Sequence, residues 1–171
     1  MKYWDEIERL ALERKIVMSR ASILPCTKEE VMELEKAIGL RLPEVYREFL
    51  LWAGHGLGMF MTGSRFYYEQ LFKAKAVAIE MLQEDSSPDR LPDDAFVFWM
   101  HQGYMFSFFR VSEGDNPPVH NYREGENEGR IRWNYEENFV SFVRDEINYQ
   151  ADCYDEARQY EEMARRDWRN A

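Results

Sequence analysis

The chain lacks the long apolar runs and the cysteine patterns of membrane-spanning and disulfide-stabilised proteins. No apolar run approaches the roughly 20 residues that cross a bilayer. The start, Met1-Lys2-Tyr3-Trp4-Asp5-Glu6, is amphipathic and acidic, whereas a signal peptide is basic and then apolar. The two cysteines, Cys26 and Cys153, lie far apart and match no metal or redox motif. We therefore expect a cytoplasmic protein, not bound to a membrane, with both thiols reduced.

Motifs for catalysis and for bound cofactors are also absent. The histidines His55, His101 and His120 are isolated, and no His-x-x-His or Cys-x-x-Cys spacing occurs, so we expect no metal site. The glycine cluster at 54–58 lacks the lysine of a phosphate-binding loop and is interpreted as a helix end. The sequence thus predicts no catalytic residue and no cofactor. A deep pocket lined by His101, His120 and carboxylates would reopen the enzyme alternative.

The composition that is present is globular, aromatic and strongly acidic. The 171 residues suit one domain, and 15% of them are aromatic. There are 32 acidic residues against 22 basic ones, which gives a formal net charge of -10. A field of this sign repels phosphate backbones and argues against direct nucleic-acid binding. The charge alone leaves two alternatives open, since it either serves solubility only or meets a basic partner.

The first third of the chain has the apolar spacing of helices. The first predicted helix runs from Tyr3 to about Val17. A second begins at Thr27, which forms a capping box with Glu30. A third begins at Arg41-Leu42-Pro43, because proline suits a first helical turn.

From Leu57 the pattern changes to short apolar runs. Leu57–Met61 is a candidate strand and Leu71–Gln83 a candidate helix. Further strands are predicted at 96–100, 104–111, 119–123 and 131–133, with a hairpin turn at His101-Gln102-Gly103. Strands joined by short turns are antiparallel neighbours. We predict an α+β fold in which a mostly antiparallel sheet of about four to six strands packs against helices.

The end of the chain, from Glu136 to about Trp168, is predicted to be helical. Its first half has a strong core stripe, which consists of Phe139, Phe142, Val143, Glu146 and Ile147. The stripe continues more weakly in the charged second half as Cys153, Ala157, Tyr160, Ala164 and Trp168. This segment is either one long helix that projects from the domain or a helix with a break.

One motif carries a family resemblance. The pattern Leu-Pro-x-x-Tyr-x-x-Phe-Leu, here Leu42, Pro43, Tyr46, Phe49 and Leu50, resembles the opening of the SUKH superfamily. This superfamily includes fungal regulators of cell-wall glucan synthesis and many bacterial immunity proteins. The stretch 98–106 resembles the central hairpin of one bacterial branch, and 115–119 with Tyr122 resembles the next strand. The pair Ser141-Phe142 resembles the closing helix.

The resemblance covers most of residues 3–148, so we predict a SUKH-like domain at 1–148 and a C-terminal helical extension of that domain at 149–171. It departs at Trp52-Ala53-Gly54-His55, where relatives often carry Asn-Gly.

The resemblance also implies a function. It implies the α+β fold, no enzymatic activity and, in bacteria, the binding and neutralisation of a toxin, often a nuclease or deaminase. The acidic charge fits a basic toxin domain as partner. The alternative is an intracellular regulatory scaffold, as in the fungal members, with an enzyme as a third hypothesis. A homodimer through the C-terminal helix is a further hypothesis.

Aromatic residues beside polar groups are the candidates for partner binding. They are Trp52, His101, Gln102, Tyr104, Tyr122 and Trp133. Aromatic residues at helical spacing are more often core, and Trp52 ends such a stripe. His101 and Gln102, in the predicted turn, are the members that we expect to be exposed.

Overall fold

The computed structural model of the chain describes the backbone of residues 3–170 and the side chains of residues 3–162. Within residues 3–54 it contains three α-helices: α1 (Asp5–Glu13), α2 (Lys28–Ile38) and α3 (Glu44–Ala53). The first helix is shorter than the sequence predicted, because Lys15 has a left-handed φ of 59° that turns the chain. Ile16 and Val17 are nevertheless buried.

The capping box predicted at the start of α2 is confirmed. The hydroxyl of Thr27 accepts a hydrogen bond from the Glu30 N–H at 3.2 Å, and the Glu30 carboxylate accepts one from the Thr27 N–H at 2.7 Å. Gly39 closes the helix with a left-handed φ of 69°. Pro43 immediately precedes the first residue of α3. The capping box therefore fixes where α2 begins, and Pro43 marks where α3 begins.

Seven strands lie in the described part of the chain, in two antiparallel sheets. The small sheet pairs β1 (Ile23–Leu24) with β2 (Gly56–Leu57). The main sheet has the order β3-β4-β5-β6-β7. Its strands are β3 (Ser64–Arg65), β4 (Ala95–His101), β5 (Met105–Arg110), β6 (Val119–Arg123) and β7 (Arg132–Glu136). The five antiparallel strands confirm the predicted α+β fold.

The region between β2 and β4 differs from its prediction. The strand expected at Leu57–Met61 is only the two-residue β2, and the helix expected at Leu71–Gln83 is two helices, α4 (Tyr68–Leu71) and α5 (Ala74–Glu84). The Gln70 carboxamide explains the earlier start, because it accepts hydrogen bonds from the Phe66 and Tyr67 N–H groups at 2.8 and 3.2 Å.

Helices cover both faces of the main sheet. On one face Phe96, Phe98 and Phe109 pack against α1, α3 and the C-terminal helix. On the other face Val97, Met100 and further apolar residues pack against α5. Every residue of β4 from Ala95 to Met100 is therefore buried, which accounts for its continuous apolar sequence.

The larger core is organised around aromatic rings. The ring of Tyr46, from α3, lies 5.0 Å from Phe139 and 5.1 Å from Phe96. Phe139 in turn lies 5.0 Å from Phe98 and 5.8 Å from Trp4. Most of these contacts are edge-to-face, the arrangement that aromatic quadrupoles favour. One cluster of rings thus joins α1, α3, the sheet and the start of the last helix.

The last helix, α6 (Phe139–Asn170), is continuous, which decides between the two alternatives for this segment. Its first four turns bury Phe139, Phe142, Val143, Ile147 and Ala151. Arg14, at the end of α1, pairs with Asp152 and donates to the Asn148 carbonyl. Residues 155–162 are all exposed. The predicted stripe residues Ala164 and Trp168 lie outside the described side chains, and the division at residue 148 stays a prediction.

Phe139→Ala is expected to lower the free energy of unfolding by about 3–5 kcal/mol, because it leaves a cavity among five rings. Phe72, which is 36% exposed, is the control, and Phe72→Ala is expected to cost less than about 1 kcal/mol. Urea denaturation at equilibrium measures both values. Equal losses in the two variants would contradict the central position of Phe139.

Tyr46→Phe is expected to raise the free energy of unfolding by about 1 kcal/mol. The Tyr46 hydroxyl is buried and has no hydrogen-bond partner among the described residues. Removing a buried group without a partner abolishes its desolvation penalty, while the ring contacts remain. The same urea titration measures the change, and a loss of stability would show that the hydroxyl is bonded in solution.

Candidate functional site

A groove lies between α6 and the sheet, with a volume of about 430 Å³. We call it the α6–sheet groove. The sheet side is formed by Ser64, Trp99, His101, Tyr104, Met105, Asn121, Arg123 and Tyr135, and the helix side by Phe142, Glu146, Tyr149, Gln150, Cys153 and Tyr154, with Met61 and Thr62 at one end. A concave, aromatic surface with a few polar groups is typical of a binding site.

A β-bulge in β4 directs Trp99 into this groove. Val97 pairs with Phe108 and Trp99 pairs with Ser107, so Phe98 is an extra residue opposite two consecutive residues of β5. Phe98 and Trp99 therefore both face α6, and each ring contacts Phe142, at 5.2 and 6.1 Å. Regular alternation resumes beyond the bulge, so His101 also faces the groove.

The indole N–H of Trp99 is a donor without a partner. Only 7% of the residue is exposed, and its Nε1 forms no hydrogen bond within the described part of the chain. A buried donor without an acceptor costs about 1–3 kcal/mol. A carbonyl or carboxylate oxygen that enters the groove would offset this cost.

His101 and Tyr104 flank a tight turn at the mouth of the groove. Gln102 and Gly103 both have left-handed φ, 46° and 81°, and the Tyr104 N–H donates to the His101 carbonyl at 3.2 Å. The His101 ring stacks on Trp99 at 6.0 Å and contacts the Tyr104 ring at 5.7 Å. Its Nδ1 lies 2.8 Å from the Ser64 hydroxyl. The turn thus holds an imidazole and a phenol side by side.

The helix side of the groove contributes a carboxylate, Glu146. Burial raises the pKa of Glu146, a hydrogen bond from Gln150 opposes this, and the nearby Glu136 and Asp145 add to the increase. Gln150 is fixed because its carboxamide oxygen accepts from the Met61 N–H at 2.9 Å. The groove therefore offers a cation a partly buried acceptor in an acidic environment.

One basic residue also borders the groove. The guanidinium of Arg123 lies over the Tyr104 ring at 5.8 Å and pairs with Glu126 at 3.1 Å. This ion pair is largely exposed, so it is weak and screened by salt. Arg123 shows that the Tyr104 ring can accept a cation on its face.

The structure brings together only some of the predicted binding residues. His101 and Tyr104 line the groove, and Gln102 is exposed in the adjoining turn. Trp133 is 46% exposed, but it packs on His120 at 4.8 Å, on the face of the sheet opposite the groove. A second irregularity, between β6 and β7, separates Trp133 from Tyr135, which does line the groove.

Two of the predicted binding residues, Trp52 and Tyr122, are buried, which corrects their prediction as binding residues; for Trp52 the helical stripe already favoured burial. Trp52 stacks on Trp4 at 5.5 Å and donates to the Glu8 carboxylate at 3.0 Å. Tyr122 is fully buried against α5 and donates to Asp85 at 2.8 Å. Each polar atom already has a partner within the fold, so neither residue offers a surface to another protein.

Sequence reasoning missed Trp99, Glu146 and Gln150. Trp99 is inside a continuous apolar strand, and nothing in that run indicates the bulge. Glu146 did carry a signal, because it is a carboxylate within the apolar stripe of α6. Charged side chains are rare at core positions unless they are paired within the fold or take part in function.

The enzyme alternative gains no support from this geometry. Within residues 3–162, the His101 ring is hydrogen-bonded to Ser64 but to no carboxylate that would orient it as a base. His120 faces the opposite side of the sheet, where it is bonded to Glu113 at 2.9 Å and to the Asn134 N–H at 3.0 Å. The two histidines therefore do not share a pocket.

Comparison with known families finds a match over most of the chain. Residues 25–145 match the family model described as the SMI1 / KNR4 family (SUKH-1). The chain belongs to this family. The resemblance inferred from the Leu-Pro-x-x-Tyr-x-x-Phe-Leu pattern is thus confirmed. A search of curated proteins found no match.

The family sets the broad class of function. SUKH domains generally act through protein–protein interaction and are generally non-catalytic. The family includes both immunity proteins and fungal regulators. None of the described helices has the length and apolar character needed to cross a membrane.

Glu146→Gln is expected to stabilise the protein at alkaline pH. Because burial raises the folded-state pKa of Glu146, the wild type loses stability as pH rises from about 4.5 through that pKa. The variant lacks this loss, so its advantage is full at about pH 8 and shrinks toward about pH 4.5. Urea titrations across this range measure it. Glu156→Gln, at an exposed position of α6, is the control, and an equal effect there would contradict the assignment.

Proposed function

We propose that the chain is a non-catalytic protein-binding domain that neutralises a basic bacterial toxin domain of the nuclease or deaminase type. The observation that carries this proposal is the α6–sheet groove, where the unpaired N–H of Trp99 and the partly buried carboxylate of Glu146 face the same space. Both groups cost stability in the protein alone. A partner that pairs with them recovers that cost on binding.

The groove chemistry suits a lysine or arginine side chain of the partner. The Glu146 carboxylate would accept a hydrogen bond from the cation, and the rings of Tyr104 and Tyr149 would contact it through their faces. The Trp99 N–H would donate to a main-chain carbonyl of the same segment. Gln102, at the exposed turn, would contact the partner at the rim.

The net charge of the chain supports the same class of partner. A formal charge of -10 attracts a basic domain over a distance of about 8–10 Å at physiological salt. Such steering raises the association rate, whereas the contacts in the groove supply specificity. The same field disfavours direct binding to nucleic acid.

We propose that binding of the toxin domain takes place in the cytoplasm, where Cys26 and Cys153 stay reduced. Neither cysteine forms a disulfide in the structure.

Protection of cells is the direct test of the proposal. The chain is co-expressed with the C-terminal domain of a polymorphic secreted toxin encoded beside its gene. Survival, together with a purified complex whose association slows about tenfold or more in high salt, is expected. Failure to protect cells from that domain would overturn the toxin assignment.

Tyr104→Ala is expected to weaken the complex by about tenfold or more, because it removes an aromatic wall of the groove. Tyr160, 78% exposed on α6 and outside the groove, is the matched control, and Tyr160→Ala is expected to change affinity less than about twofold. Isothermal titration calorimetry with the toxin domain measures both. A larger loss of affinity in Tyr160→Ala than in Tyr104→Ala would place the interface on the exposed part of α6.

A regulatory scaffold, as in the fungal members of the family, is the second candidate. The observation that favours it is the exposed length of α6 at 155–162, which provides a surface separate from the groove. Recovery of several unrelated cellular proteins, with no toxin gene nearby, would favour this role. A homodimer through α6 stays a prediction, and light scattering during size-exclusion chromatography measures it.

A further inference from the structure

Three side chains with metal-binding chemistry meet at the end of the small sheet, and none of them lines the α6–sheet groove. Cys26 precedes α2, Glu30 lies in its first turn, and His55 follows α3. One ligand atom from each lies within 4.8 Å of the other two, and Nε2 of His55 is 3.1 Å from a Glu30 oxygen. Zinc bonds of about 2.0–2.3 Å place neighbouring ligand atoms about 3–4 Å apart, so these three atoms would have to draw together slightly to bind one ion.

We propose that Cys26, Glu30 and His55 bind one zinc ion through Sγ, a carboxylate oxygen and Nε2. A thiolate, an imidazole and a carboxylate are the ligands that Zn²⁺ takes, whereas Mg²⁺ and Ca²⁺ require mainly oxygen. Three protein ligands leave a fourth position for water or another donor. Binding releases the thiol proton to solvent and, when His55 is protonated, its Nε2 proton as well.

A fourth residue orients the histidine as zinc sites require. Nδ1 of His55 lies 3.0 Å from a carboxylate oxygen of Glu69, in α4. A metal-bound histidine usually donates its second ring N–H to such a carboxylate, which fixes the tautomer and leaves the other nitrogen for the metal. Glu69 thus acts as a positioning residue.

The backbone fixes the ligands before any ion binds. The Cys26 N–H donates to the Leu50 carbonyl, and the His55 N–H donates to the Leu24 carbonyl, each at 2.8 Å. Gly54 lets the two segments approach, since a Cβ at this position would lie 2.4 Å from Cys26 Sγ. A site held by main-chain bonds loses little conformational entropy on binding.

The local charge also favours a cation. Glu30 and Glu69 flank His55, and a third carboxylate, Glu33, bonds the Tyr68 hydroxyl at 3.3 Å. The Tyr68 ring packs on His55 at 5.3 Å. The competing arrangement is a protonated His55 paired with both glutamates and a neutral thiol. The two arrangements differ in whether Cys26 is a ligand.

The test uses the full chain, stripped of metal by a chelator and kept in a non-thiol reductant. Titration with zinc chloride is expected to show one equivalent bound and, at a hundredfold excess over Kd, a Tm increase of about 5–10 °C. Cobalt chloride is expected to give a thiolate-to-metal charge-transfer band. Cys26→Ser should abolish the band, whereas Cys153→Ser, at the exposed cysteine, should preserve it.

Two further variants separate a ligand from a structural residue. Glu30→Gln keeps the capping box, because glutamine also bonds back to the N-cap, but it removes the carboxylate ligand. It is expected to lose zinc binding, while the metal-free variant still unfolds cooperatively and has lost only the His55–Glu30 ion pair. Glu69→Gln should weaken binding about tenfold. Absence of zinc binding in the wild type, or zinc binding in Cys26→Ser or Glu30→Gln as tight as in the wild type, would overturn the proposal.

Discussion

The packing of Tyr46 against three other parts of the fold is the constraint on which the rest of the structure depends. Its ring contacts Phe96 of β4, Phe109 of β5 and Phe139 of α6. The helix that carries it is therefore fixed to the sheet and to the last helix at one point. The position of α6 over the sheet, and hence the groove between them, follows from this contact. The family's Leu-Pro-x-x-Tyr-x-x-Phe-Leu pattern thus describes a packing requirement.

Two polar groups that face the groove lack full compensation within the fold. Most buried polar atoms of the fold have partners, as Asn121 does with Ser107 and the Phe106 carbonyl. Trp99 and Glu146 face the groove without equivalent compensation. Natural proteins keep such costs where they serve binding, because the same groups that destabilise the isolated protein strengthen its complex. The two proposed sites are separate, because none of Cys26, Glu30 and His55 lines the groove.

The sequence predicts what short-range interactions decide. The capping box of Thr27 and Glu30 and the hairpin at Gln102-Gly103 involve neighbours in the chain, and both are present. Burial of Trp52 and Tyr122 depends instead on Trp4 and Asp85, which lie 48 and 37 residues away. The proximity of Cys26, Glu30 and His55 was missed for the same reason, since His55 reaches Glu30 only through tertiary packing. No spacing rule covers these contacts, because they are set by how the helices dock.

The bulge in β4 exchanges, for the second half of the strand, the residues that face α6 and those that face α5. If strict alternation continued from Phe98, the indole of Trp99 and the imidazole of His101 would lie against α5, and the thioether of Met100 would face α6. The composition of the strand would be the same, yet the recess beneath α6 would contain neither a ring nitrogen nor an aromatic stack from β4. One residue of additional chain length, with no change of residue type, therefore determines the chemical character of this surface.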